Sequence, residues 1–357
     1  MTNSGTGDSD MPCGRLGHGG PIVSDFALGT MTFGVETDAA GAHRQLDLFV
    51  DRGGTFIDTA DVYGAGRSEE IIGDWVAARG TCDDLVIATK GRFGGEHHGT
   101  GASRRALTQA VEGSLRRLRR EAIDLYIVHG WDKEVPILDT LSVLGDLMTA
   151  GKIHQIGWSN LSAWQLQRIV STAAAHDLPM PVTLQSQYNL LERGIEMEVL
   201  PCCLDLRIAL TPWSPLGGGW LTGKYGAERR PEGATRLGED PSRGVEAYDL
   251  RNTDRTYAVL QCAGEIAEEH GRPMSHVALA WLGARSGVHG ILLGARNVAQ
   301  LSDNLDAVDL NLSSAELDRL TTASALPMHP YPYNFLEDWC GLNVWTRLGT
   351  WARPNAR

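Results

Sequence analysis

Four side chains able to hold, move or orient a proton fall at or just past the ends of short apolar runs: Asp58, Tyr63, Lys90 and His129. Asp58 follows Thr55-Phe56-Ile57, and Tyr63 lies five residues on. Lys90 closes Leu85-Val86-Ile87-Ala88-Thr89, and His129 closes Leu125-Tyr126-Ile127-Val128. A free tyrosine is a poor acid at neutral pH because its pKa is about 10. A neighbouring ammonium favours the phenolate and makes the proton easier to give. Lys90 supplies such a charge, Asp58 holds Lys90 in place, and His129 orients a substrate oxygen or shares a proton with Tyr63. Together they make a general acid for an oxygen that is becoming an alkoxide, as when hydride adds to a carbonyl. Singly, each has a blander reading: a loop cap, a rim aromatic, a solvated strand end, a satisfied rim histidine. All four at three strand ends are much harder to explain that way.

Strand ends far apart in sequence must be brought together for this chemistry, and a barrel does so. Eight apolar runs read as strands: 25–29, 55–59, 85–90, 123–129, 153–158, 182–187, 208–213 and 290–294. Most are continuous rather than alternating, as expected of strands buried on both faces. Helical stretches lie between them. In 103–119, for example, Leu107, Ala110, Val111, Leu115 and Leu118 recur at helical spacing. The alternation predicts an α/β fold, a (β/α)8 TIM barrel whose active site is built at the strand C-termini. The gap from Trp213 to Gly290 exceeds one βα unit. Its Gly/Arg/Glu-rich part, 217–248, is expected to be a functional loop over the mouth, after the seventh strand. Residues 1–20 read as a flexible end or N-terminal cap and 21–322 as the barrel. Residues 323–357 read as an aromatic tail over or beside the mouth, carrying Tyr331, Tyr333, Phe335, Trp339, Trp345 and Trp351.

The net charge of −12 argues against general nucleic-acid or anionic-membrane binding, both of which need basic surface. The six cysteines show no C-x-x-C pair and no metal-ligand spacing, so reduced thiols in a cytoplasmic protein are expected. No signal peptide or membrane-spanning apolar run is apparent. There is no G-x-G-x-x-G after the first strand, no Walker A motif and no G-x-S-x-G elbow. Glu96-His97-His98 is a weak metal candidate without convergent ligands. Arg116, Arg117, Arg119 and Arg120 read as a solvated helix end.

The chain resembles the aldo-keto reductase superfamily from about Leu16 to about Leu320. The most specific stretch is Gly54-Thr55-Phe56-Ile57-Asp58-Thr59-Ala60-Asp61-Val62-Tyr63-Gly64 with Gly66-Arg67-Ser68-Glu69-Glu70. The resemblance implies a catalytic tetrad of Asp58, Tyr63, Lys90 and His129, with Tyr63 as proton donor. It also implies that Ser159, Asn160 and Gln185 hold a nicotinamide carboxamide and that Trp213, in Trp213-Ser214-Pro215-Leu216, stacks on the ring. Thr30 and Lys224 are further implied cofactor contacts, Lys224 at the pyrophosphate. Gly294, Arg296, Gln300 and Asn304 would take the adenosine end, and Arg296, at a helix start, points to NADPH over NADH.

The implied activity is NADPH-dependent reduction of an aldehyde, ketone or keto sugar. Relatives also act on nucleotide-linked deoxy-keto sugars, sometimes at a conjugated enone. Phe33, Trp131, the 217–248 loop and the tail are the expected substrate contacts, giving an apolar, aromatic pocket. The resemblance also admits a second class, an NADPH-bound regulatory subunit of an ion channel with little turnover. A barrel isomerase or hydrolase using Asp58 and His129 is a third reading. The sequence contains nothing that sets the oligomeric state.

Overall fold

The computed structural model describes residues 11–80, 84–94, 100–233, 236–240, 244–327 and 329–350. A hairpin, β1 (Cys13–Arg15) and β2 (Ile22–Ser24), precedes eight parallel strands. These are β3 (Phe26–Gly29), β4 (Phe56–Asp58), β5 (Val86–Gly91), β6 (Ile123–Val128), β7 (Ile153–Ser159), β8 (Thr183–Gln187), β9 (Ala209–Trp213) and β10 (Ile291–Gly294). They are the eight expected runs, each boundary agreeing to within one residue. From β3 to β9 each strand pairs with the next in the chain, and β10 returns to pair with β3, Ile291 opposite Phe26. The remaining seam, between β9 and β10, is closed around Leu210. Its N–H donates to Gly287 O at 2.8 Å, and its carbonyl accepts from His289 N at 3.0 Å. The result is a (β/α)8 barrel.

Helices flank the strands because their sequences supply both a cap and an apolar stripe. The stretch expected at 103–119 forms a helix, Arg104–Leu118. Ser103 accepts from the Ala106 N–H at its start, and Arg119 turns left-handed (φ 53°) at its end. Leu107, Val111, Leu115 and Leu118 form its buried face. Burying such side chains contributes about 1.5–3 kcal/mol each. A second, smaller apolar cluster fills the barrel interior with Ala27, Phe56, Ala88, Leu125 and Ile127. Leu16 and Val23 from the hairpin join it, so residues 11–24 plug the end of the barrel away from the strand C-termini. Reciprocal bonds between Ser24 and Thr55, each N–H to the other's hydroxyl at 2.9 Å, fix the hairpin there. No helix among the described residues is long and apolar enough to cross a membrane.

The long segment after β9 holds a 3-10 turn at Gly217–Thr222 and short helices at Arg236–Glu239 and Tyr248–Arg251 before the helix Asp254–His270. The tail lies beside the barrel. Its helix Val344–Leu348 docks on the segment after β8 and leads to Gly349, which lies against Thr321 of the helix Ser314–Ala323. The helix Phe335–Cys340 is tied to Val344–Leu348 through Glu337, which accepts from Thr346 N and Oγ1. Trp345 Nε1 donates to Met197 O at 2.8 Å. The hub is Arg193, fully buried with Glu196. Arg193 donates twice to the Glu196 carboxylate (2.8 and 2.7 Å) and to Thr321 O, Ser324 Oγ and Gly349 O, and lies over the Trp281 ring. Tyr188 Oη donates to Glu196 Oε1 at 2.6 Å.

Cutting Arg193 back takes the bidentate partner from a fully buried carboxylate and leaves Arg285, 3.8 Å away, as its ion-pair partner, a change that costs about 3–5 kcal/mol. We expect that loss for Arg193→Leu in urea unfolding, and we expect Arg193→Leu/Glu196→Leu to recover most of it. A double variant no more stable than the single one would refute this account.

Candidate active site

The end of β4 and the turn after it set the first two groups. Asp58 is the last residue of β4, beside Ala88 of β5. Tyr63 opens a 3-10 turn, Tyr63–Gly66, in which Gly64, Ala65 and Gly66 all take positive φ (55°, 54° and 92°). This reversal feeds the chain straight into the helix Arg67–Arg79. Lys90 comes from β5 and His129 follows β6.

The four converge. Lys90 Nζ donates to Asp58 Oδ2 at 2.6 Å, to Thr59 O at 2.8 Å and to Tyr63 Oη at 3.3 Å. The ammonium also lies 4.8 Å from the centre of the Tyr63 ring. The second Asp58 oxygen accepts from Gln185 Nε2 at 2.6 Å. Burial works against the charge on Lys90, but Asp58 and the Tyr63 oxygen outweigh it and hold the ammonium above the ordinary lysine value. Burial pushes the Asp58 carboxyl up, opposed by Lys90 and Gln185. His129 stands across from Tyr63, ring centres 6.1 Å apart and nearly perpendicular. Burial first, then the charges of Lys90 and Arg92, lower its pKa to about 3. It is therefore a neutral imidazole at physiological pH. Its Nδ1 is buried with no protein partner among the described residues, a polar atom left for something else to satisfy.

Two neighbours of His129 carried no signal in the sequence. Phe93 packs 5.0 Å from the His129 ring. Arg92 takes a positive φ of 129° and donates to Trp131 O at 2.7 Å. Trp131 pairs edge-on with Trp164, which is largely exposed at the start of the helix Ala163–Ala175. Phe93, Trp131 and Trp164 thus give an aromatic rim along the loops after β5, β6 and β7. Phe33, expected to contact the substrate, is fully buried in the main core.

The other expected residues fall on two sides of the mouth. Ser159 ends β7 and donates to Gln185 O at 3.2 Å. Asn160 is exposed and held left-handed (φ 58°). Its amide N–H₂ donates to His129 O, and its amide oxygen accepts from Trp213 Nε1 at 3.1 Å. Ser214 is also left-handed (φ 54°), its carbonyl bonded by Asn189 Nδ2 and its hydroxyl by Gly218 N. Pro215 and Leu216 carry the chain into the turn Gly217–Thr222, and Lys224 is exposed just beyond it. A side chain added at Gly294 would meet no atom within 4 Å, so the surface after β10 is open. Gln300 is exposed and accepts the Arg296 N–H, whereas Asn304, one turn on, is buried. Thr30, expected to touch a cofactor, is wholly buried. Its hydroxyl donates to Asp58 O and accepts from Ser68, so it braces β4. Glu96, His97 and His98 lie outside the described residues.

Behind the site, on the opposite face of β5, lies a buried polar cluster. Thr89 donates to Glu69, and Arg117 Nε donates to the other Glu69 oxygen at 2.6 Å. Arg117 is therefore not part of a solvated helix end, because a fully buried carboxylate draws it inward. Asp61 sits beside this pair with one oxygen unpartnered among the described residues, and burial and then the Glu69 charge raise its pKa to about 7. Gly91 is required here, since a Cβ would fall 2.2 Å from Tyr126 Oη and 3.3 Å from Asp61 Oδ2.

The sequence profile described as "Aldo/keto reductase family" matches residues 25–325. The chain belongs to the aldo/keto reductase family. It is similar to the uncharacterized oxidoreductase YrpG of Bacillus subtilis, at 36% identity over 85% of this chain and 93% of that protein. It is also similar to norsolorinic acid reductase B of Aspergillus parasiticus (32%, over 88% and 84%). A third relative is an aryl-alcohol dehydrogenase (NADP+) of Phanerodontia chrysosporium (30%, over 90% and 88%). This aldo/keto reductase is accordingly an oxidoreductase acting on carbonyl groups, and NAD(P)H-linked hydride transfer is a general feature of its family.

Asp61 supplies a pH test of the buried cluster. Its folded pKa lies above the unfolded value of 3.8, so its contribution to stability is fully present below 3.8 and is lost as pH rises through about 7. Relative to Asp61→Asn, the parent protein should lose about 2–3 kcal/mol of unfolding free energy between pH 5 and pH 8. Parallel pH dependences for the two proteins would show that Asp61 stays ionised.

Proposed function

We propose that this aldo/keto reductase is an NADPH-dependent carbonyl reductase in which Tyr63 gives the proton to the carbonyl oxygen. The observation that carries the reading is the single ammonium shared by Asp58 and Tyr63, with a neutral histidine opposite. Lys90 sits 3.3 Å from Tyr63 Oη, so the phenolate left after proton transfer has its counter-charge in place. Asp58, bonded from two sides, fixes where that charge lies. In this reading the neutral His129 ring hydrogen-bonds the same substrate oxygen and orients it towards Tyr63.

The residues around the mouth fit the cofactor. Asn160 is exposed and rigidly aimed by its left-handed backbone and its bond to Trp213. The Gln185 amino group gives one N–H to Asp58, and its carbonyl is an acceptor it offers a ligand. In this reading Asn160, Ser159 and Gln185 hold the carboxamide, and Trp213 lies against the ring. Ser214 to Leu216 and Lys224 line the pyrophosphate, and Gly294, Arg296 and Gln300 take the adenosine end. Bound NADPH supplies the hydride.

For substrate, the rim of Phe93, Trp131 and Trp164 favours an aromatic aldehyde or ketone, since aromatic faces stack well. The aryl-alcohol dehydrogenase among the relatives is consistent with that class.

Tyr63→Phe should lower kcat by about 10²–10⁴-fold while NADPH still binds, as followed by fluorescence titration and NADPH oxidation with a panel of aromatic aldehydes and keto sugars. Normal turnover in that variant would remove Tyr63 from the mechanism. NADPH binding by the parent protein without turnover on any carbonyl would favour the channel-subunit alternative. Because His129 is protonated only near pH 3, it should contribute no limb to the kcat profile between pH 5 and 8. A limb near pH 6.5 that disappears in His129→Asn would show that the imidazole titrates.

A further inference from the structure

Arg296, the residue proposed to meet the adenosine end of the cofactor, already has carboxylate partners. It lies two residues past β10 and immediately before Asn297, the N-cap of the helix Val298–Leu305. Its N–H donates to Gln300 Oε1 at 2.9 Å, and its carbonyl accepts from Thr37 Oγ1 at 3.2 Å, so its backbone is fixed. Its two terminal nitrogens donate to the two oxygens of Glu239, both at 2.8 Å. Glu36 stands on another side, 3.8 Å from Nη2. Glu239 comes from the helix Arg236–Glu239 in the long segment after β9, whereas Glu36 comes from the loop after β3. Carboxylates from two separate loops therefore meet one guanidinium. A cavity of about 600 Å³ opens beside it, lined by Glu36, Asp38, Arg44, Arg67, Arg296 and Asn297.

A bidentate carboxylate uses the edge of the guanidinium that would otherwise take two phosphate oxygens. A 2′-phosphate reaching Arg296 must displace Glu239 and then sit near Glu36, a like charge. A free ribose 2′-hydroxyl meets no such repulsion and finds carboxylates able to accept its hydrogen bond. From these contacts we infer that Glu239, backed by Glu36, sets the preference between NADPH and NADH by competing with the 2′-phosphate for Arg296. The long loop thereby takes part in choosing the cofactor, and Arg296 alone overstates the preference for NADPH. The inference rests on the proposal that the chain binds a nicotinamide dinucleotide with Arg296 at its adenosine end.

The test is equilibrium titration of the full chain with NADPH and with NADH, read by quenching of tryptophan fluorescence. Glu239→Gln should tighten NADPH by about three- to tenfold and move NADH by less than about twofold. Glu36→Gln should act in the same direction but less strongly. In an Arg296→Gln background the Glu239→Gln gain should vanish, because the competition needs the guanidinium. Unchanged or weaker NADPH binding in Glu239→Gln overturns the inference. So does an equal gain for NADH, or a gain that persists without Arg296. If the parent binds both dinucleotides and Glu239→Gln is silent, only the competition fails. If the parent binds neither, the cofactor reading fails with it.

Discussion

The Lys90 side chain keeps 1% of its surface in contact with water, and a charge so placed persists only if the protein replaces its hydration. Asp58, Thr59 O and Tyr63 Oη do so from β4 and the turn after it. Gln185 completes the Asp58 carboxylate from β8, four strands away in either direction around the barrel. The ammonium thus links opposite walls of the mouth. The register of β4 against β5, the reversal at Gly64 to Gly66 and the depth of Gln185 all answer to it. Burial first, and then the charge of this ammonium and of Arg92, keep His129 neutral.

Strand alternation carries the constraint to the other side of β5. Lys90 points into the mouth, so Thr89 must face the helices, where it donates to Glu69. That carboxylate is also buried and draws in Arg117 from the helix Arg104–Leu118. Two buried ion pairs therefore lie back to back across one strand, each closed by a residue from a neighbouring element. Asp61, between them, forms no ion pair among the described residues, and burial and the Glu69 charge outweigh the more distant Arg117 and Lys90 in favouring its protonated form.

The barrel was legible in the sequence because strands buried on both faces leave unbroken apolar runs, and all eight appear at their observed positions. The polar groups at strand ends were legible for a related reason, since Asp58, Lys90 and His129 interrupt those runs where solvent should begin. Position within a loop was not legible. Phe33 and Thr30 share the loop after β3 or its first residue, and only tertiary packing turns them inward. Arg92 and Phe93 gave no signal because their place beside His129 depends on a positive φ that sequence does not mark as it would for glycine. Arg117 looked solvated because its partner, Glu69, lies 48 residues earlier in the chain. Glu239 sits in a stretch whose many charges look interchangeable until one of them is seen on Arg296.

The join between β9 and β10 rests on two backbone bonds at one residue, Leu210, whereas the other strands share longer ladders. Among the described residues these two bonds stand where the other neighbouring strands have ladders. Trp213 stands at the end of one bordering strand and Arg296 just past the other. A molecule long enough to touch both would bridge this seam. Its binding would then stabilise the closed barrel by mass action.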